Sequence, residues 1–74
     1  MQTKFKRHEK VRLLADPNPE FIEYYSEKEE PIRKGMLGEI NVILPNGEYH
    51  IKIVDKEGNT IAYVEMSEEY LEEM

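Results

Sequence analysis

Asn46-Gly47 limits what this chain can fold into more than any other pair of residues in it. Both central positions of a two-residue type I′ turn need positive φ, and Asn followed by Gly meets that need at least cost. A hairpin is therefore expected here. On its N-terminal side Gly38, Ile40, Val42 and Leu44 alternate with Glu39 and Asn41, the period of two of a half-buried strand. Beyond the turn Tyr49, Ile51 and Ile53 alternate with Glu48, His50 and Lys52, so pairing puts both apolar rows on one side. A second turn is expected over residues 55–59. Asp55 stands where a type I turn begins, and Gly58 where the chain enters the left-handed region before rejoining a strand. Residues 60–66 give a third strand. Ala62, Val64 and Met66 are assigned to its inner face, because the other row, Ile61, Tyr63 and Glu65, contains a charge.

Upstream, residues 10–14 read as a first strand with Val11 and Leu13 on one face and Lys10 and Arg12 on the other, and Phe5 anchors the lead-in. Ala15-Asp16-Pro17-Asn18-Pro19 stops that strand, since proline donates nothing to a ladder and restricts the residue before it. A long excursion follows, to Pro31. Residues 19–25 allow either a turn or two of helix, with Asn18 as cap and Pro19 in the first helical position, or irregular backbone. Residues 26–30 form a charged tip. After Met66, Ser67 can cap one helical turn through Glu68 and Glu69, leaving Leu71 to plug one end.

Strand, long loop, three strands joined by tight turns, and one helical turn: this order resembles the Src-homology-3-like (SH3-like) barrel. Lys34-Gly35-x-x-Gly38-x-Ile40, continuing to Leu44 and Asn46-Gly47, resembles the KOW motif of ribosomal and transcription-elongation barrels. Lys10-Val11-Arg12-Leu13, a Pro-containing loop and Gly35-x-x-Gly38 are similar to the barrel at the C-terminal end of nitrile hydratase beta subunits and to small stand-alone bacterial and archaeal barrels. The chain departs from the nitrile hydratase pattern at His8-Glu9, where a Gly-Asp turn usually precedes the first strand, and in lacking the His-x-Arg segment of the long loop. The resemblance implies an all-β, SH3-like small barrel of four to five antiparallel strands over residues 9–71, with a long first loop and a C-terminal single helical turn. A basic N-terminal arm over residues 1–8 and an acidic tail over 72–74 flank it.

With 74 residues, one domain is expected, burying only about 60% of its unfolded surface. Apolar residues at 39% and charged residues at 35% are a globular composition. There is no Cys, hence no disulfide, thiolate metal site or cysteine nucleophile. No stretch approaches the roughly 20 apolar residues of a membrane span, and no apolar run follows the basic start, so a cytoplasmic location away from membranes is expected. Heavy use of Glu and Lys with a single Gln is a bias shared with proteins from hot environments.

The net charge of −6 is unevenly spread. Residues 1–12 carry five positive charges and one negative, residues 16–30 six acids and one Lys, and residues 65–74 five Glu and no base. An acidic domain lacks the overall field that non-specific phosphate binding needs.

Little in the sequence points to catalysis. Gly35 and Gly38 have neither P-loop spacing nor a following Gly-Lys-Ser/Thr, and are read as structural glycines in a bending strand. His8 and His50 stand in no metal-ligand spacing, and His50 falls on a polar strand face. Ser26 and Ser67 have no base near them in sequence. The pairs Glu29-Glu30, Glu68-Glu69 and Glu72-Glu73 read as solvated faces, since catalytic carboxylates need an enclosed site that separates their pKa values. A non-enzymatic binding module with no cofactor and no metal is expected, acting on another protein through the long loop and the adjacent strand surface: Phe21, Tyr24, Tyr25, Arg33 and Tyr63. The alternative is an RNA- or ribosome-binding face built from Lys6, Arg7, Arg12, Lys34 and Lys52, with tyrosines to stack on bases.

Overall fold

The computed structural model describes residues 5–25 and 30–74. Lys4 and all of the charged tip except Glu30 lie outside the described residues. Six strands form one antiparallel sheet: β1 (Lys10–Leu13), β2 (Ile22–Tyr24), β3 (Leu37–Ile43), β4 (Glu48–Val54), β5 (Thr60–Ser67) and β6 (Leu71–Glu73), in the order β2-β5-β4-β3-β1-β6. The all-β expectation holds. Closure does not: β2 and β6 are the two edges, so the ladder stays open. The inner face is nevertheless filled. Val11, Leu13, Ile40, Tyr49, Ile51, Ile53, Ala62, Val64, Met66 and Leu71 form one buried cluster, with Phe5 and Ile32 added from outside the ladder. Met66 and Leu71 bury as expected, and Ile61, assigned to the outer row, is buried as well.

Both three-residue strands escape a periodicity reading, which needs several alternations. β2 exists because β5 offers it a template through Ile22↔Val64, Glu23↔Tyr63 and Tyr24↔Ala62. β6 exists because β1 does the same through Arg12↔Glu72 and Leu13↔Leu71. Glu72 and Glu73 thus belong to the sheet instead of forming a tail. Residues 5–8 are not a free arm either. A turn closed by Glu9 N–H on the Lys6 carbonyl (3.1 Å) leads to His8, whose N–H donates to the Ile40 carbonyl (2.7 Å). Phe5 meets Tyr49 edge-on with ring centroids 5.5 Å apart, and its N–H donates to the Tyr49 hydroxyl (3.2 Å).

The first hairpin turn is not the expected two-residue type I′. Only Gly47 has positive φ there; Gly47 N–H donates to the Leu44 carbonyl (3.1 Å) and Leu44 N–H to the Glu48 carbonyl (2.9 Å). This is a type I turn through Pro45 and Asn46 followed by a left-handed glycine, and Pro45 explains it, since its fixed φ suits the second turn position. The second turn repeats that design, with Gly58 N–H on the Asp55 carbonyl (3.1 Å) and Asp55 N–H on the Asn59 carbonyl (2.9 Å).

Val42 is the core residue that alternation misplaces. Ile40 pairs with Ile51 but Val42 pairs with His50, so Asn41 is an extra residue that shifts the phase. Val42 is left 41% exposed, while Ile43 packs against the core. Residues 19–21 make a single 3₁₀ turn, Pro19–Phe21, in which Asn18 Oδ1 accepts the Glu20 N–H. A second, Glu68–Tyr70, follows Ser67, whose side chain makes no capping bond. No helix among the described residues is long and apolar enough to cross a membrane.

Candidate functional site

The described surface is concave beside the long loop. Residues 15–18 and Phe21 line the concavity from the loop, Glu48 at the start of β4 and Glu65, Met66 and Ser67 at the end of β5 line it from the sheet, and Tyr70 lines it from the second 3₁₀ turn. The groove has a volume of about 390 Å³. Phe21 is 50% and Tyr70 44% exposed, large apolar surfaces left in water by side chains on two short, hydrogen-bonded turns. Pro17 beneath them is buried. Asp16 is held by its own loop, its Oδ1 accepting the Lys34 N–H at 2.7 Å. Glu48 is oriented by Asn46, whose Nδ2 donates to Oε2 at 3.0 Å. Together with Glu65 these carboxylates give the groove a negative rim, and no Lys, Arg or His is among the residues that line it.

A second aromatic surface adjoins it. Tyr63 on the outer face of β5 stacks on His50 of β4, with centroids 5.1 Å apart and planes 13° apart, and Tyr25 meets its other side edge-on at 6.4 Å. His50 is opposite Glu65 in the ladder, so this patch and the groove share a border. His50, on the polar strand face as expected, is half-buried there, with Asn41 Nδ2 3.0 Å from its Nδ1.

The five expected contact residues do not form one cluster. Phe21 lines the groove. Tyr25 and Tyr63 belong to the outer patch. Tyr24 turns inward and packs against the core. Arg33 lies in the turn whose Met36 N–H bonds back to its carbonyl (3.3 Å). Tyr70, which sequence reasoning missed, lines the same groove as Phe21 because the second 3₁₀ turn brings it beside the loop; its one sequence signal was the third place after a Ser cap.

The cations of the alternative face are also dispersed. Arg12 pairs with Glu72 (3.4 Å) and Lys52 with Glu39 (3.1 Å). Arg7 Nε donates to the Asn41 carbonyl at the bulge (3.2 Å), while Lys6 and Lys34 are exposed elsewhere. Along the outer face Lys10, Glu39 and Lys52 are successive ladder partners, a row of alternating sign. Among the described residues no group of three or more His, Asp or Glu side chains is placed to hold a metal ion. Asp55 has a lowered pKa, below 3.8, because the Asn59 N–H above all, then the Glu57 N–H, the Asn59 side chain and the Gly58 N–H, stabilise its carboxylate against slight desolvation; it serves its turn. No family model, curated protein or solved structure matches the chain.

Proposed function

We propose that this chain is a non-enzymatic binding module that takes a basic, apolar peptide segment of another protein into the groove between Phe21 and Tyr70. The strand order supports an SH3-like arrangement even though the ladder is open, because the first and last strands pair, a long loop follows the first, and a 3₁₀ turn precedes the last. One observation carries the functional reading: two exposed aromatic side chains, Phe21 and Tyr70, line one groove together with Asp16, Glu48 and Glu65, and no base lines it. Aromatic walls supply rigid contact area at small entropic cost, and carboxylates at the rim select Lys or Arg in the ligand.

A synthetic peptide library screened on the intact chain tests this. Enriched peptides should combine Lys or Arg with apolar residues, and their affinity should fall as salt rises. Phe21→Ala and Tyr70→Ala should each weaken them by about tenfold or more with little change in thermal stability, because both rings are half in water already. Enrichment of acidic peptides, or two alanine variants that bind as the parent does, would overturn the proposal.

A further inference from the structure

β2 is an edge strand whose hydrogen-bonding groups are divided between β5 and the open side by the ladder's register. Tyr25 N–H donates to the Ile61 carbonyl at 2.9 Å while Tyr24 sits opposite Ala62 and Glu23 opposite Tyr63. In an antiparallel ladder residues alternate between pairs that exchange both bonds and pairs that exchange none. Glu23 is thus the doubly bonded residue, and Ile22 and Tyr24 turn their backbone groups away from β5. The Ile22 N–H is used locally, on the Pro19 carbonyl. That leaves the Tyr24 N–H, the Tyr24 carbonyl and the Ile22 carbonyl on the outer side of the sheet.

We infer that a basic extended strand adds to the sheet at this edge, pairing antiparallel with β2 about Tyr24. This deepens, and rests on, the reading of the chain as a binder of basic apolar peptides. An N–H flanked by two carbonyls matches one residue of an added strand that exchanges both bonds with Tyr24. Side chains fix the rest. Tyr24 faces the core side and Glu23 the outer side, so the ligand residue opposite Tyr24 is apolar, and of its two neighbours the one opposite Glu23 is basic while the other lies opposite Tyr25. Charge also decides between occupants. Glu20 and Glu23 are exposed beside and on β2, so a second copy paired about Tyr24 would bring Tyr25 and no base opposite Glu23, whereas alternating Lys and Val would meet it with opposite charge.

The test uses the full chain and a short synthetic peptide of alternating lysine and valine, followed by amide hydrogen exchange and NMR shifts. Binding should slow exchange at the Tyr24 amide by roughly tenfold or more while Glu23, already bonded to β5, changes little. Tyr24→Pro removes that donor at an edge position where proline is tolerated and should lower affinity by about tenfold. Because that variant also loses a packed ring, a second probe, the same peptide N-methylated at alternate residues, should bind about tenfold more weakly in only one of its two phases. Peptide that shifts groove resonances but leaves Tyr24 exchange untouched, with both N-methylated phases bound equally, overturns edge addition and spares the groove. Protection of Tyr24 that survives Phe21→Ala and Tyr70→Ala overturns the groove and spares the edge. No binding at low salt overturns both.

Discussion

Gly38→Ala probes the packing on which both proposed surfaces stand. Gly38 is buried on β3 opposite Ile53 and its φ is not positive, so the backbone accepts alanine. Reduced freedom of the unfolded chain alone would favour the change by about 0.4–1 kcal/mol. Space decides otherwise. A Cβ at this position would lie 2.7 Å from Ile51 Cγ2, 3.0 Å from the Lys52 carbonyl oxygen and 3.2 Å from Ile53 Cδ1. The Lys52 carbonyl cannot retreat without disturbing the Glu39↔Lys52 pairing, and overpacking of this kind costs about 1–3 kcal/mol. The net expectation is a loss of roughly 1–2 kcal/mol, a Tm lower by roughly 4–15 °C in a domain this small. Leucine lacks the Cβ branch that carries Cγ2, so Ile51→Leu removes the shortest contact. In urea unfolding the double variant Gly38→Ala/Ile51→Leu should be less destabilised than the sum of the singles by about 1 kcal/mol. Gly35→Ala is the control: φ there is +92° with nothing within 4 Å, so its cost of about 1 kcal/mol is backbone strain and should add to Ile51→Leu without coupling. Additivity of Gly38→Ala with Ile51→Leu within about 0.3 kcal/mol, or an alanine variant as stable as the parent, would refute the steric account.

Two further perturbations separate local causes. His8 holds a φ of 70°, which costs a residue with a Cβ about 1–2 kcal/mol, against about 0.5–1 kcal/mol for the extra unfolded-state freedom of glycine; His8→Gly should therefore raise Tm, and a lower Tm would show that the His8 side chain supplies more than it costs. Asp55 has a folded pKa below its ordinary 3.8, so its contribution is complete above the unfolded value and disappears as pH falls through the folded one. Asp55→Asn should lower the urea midpoint at neutral pH, with the gap to the parent closing in strong acid; a gap constant with pH would show that the charge is irrelevant to the turn.

The inner rows of β1 and β4, and of β5 from Ala62 onward, were legible because they alternate without interruption and the tight turns fix where they begin. Tyr49, Ile51, Ile53, Ala62 and Val64 all bury as their spacing demands. Phase failed at two register shifts, at Val42 and at Ile61, which buries beside Ala62; the first is set by what the extra residue contacts, since the Asn41 carbonyl takes Arg7 and its amide faces His50, contacts from residues distant in sequence or across the strand. The first turn was misjudged by weighting Asn46-Gly47 over Pro45. His8, by contrast, adopts the left-handed conformation that glycine favours, which nothing in its residue type announces. Closure was not legible, because it depends on whether β2 and β6 meet, and neither strand is visible before its template exists. Of the groove, Phe21 could be read as a loop aromatic, but Tyr70 required knowing that the second 3₁₀ turn contributes to the same groove.

The two proposed surfaces share one physical origin, the limited inner face of a six-stranded sheet. The segment from Ala15 to Ile32 carries more apolar bulk than that face can take. Pro17 and Ile32 bury, Ile22 and Tyr24 reach it only in part, and Phe21 and Tyr25 remain outside. An exposed aromatic beside an unpaired strand edge is ordinarily an aggregation hazard. Here the intervening positions are Glu20 and Glu23, both exposed, and carboxylates at an edge oppose pairing with an identical edge while leaving the backbone groups open. The same charges that suppress self-association lower the cost of desolvating a Lys- or Arg-bearing strand laid beside them. A neutral loop would be sticky toward any strand; an acidic one discriminates by sign, so under the proposed binding the glutamates that oppose self-pairing would also set the choice of partner.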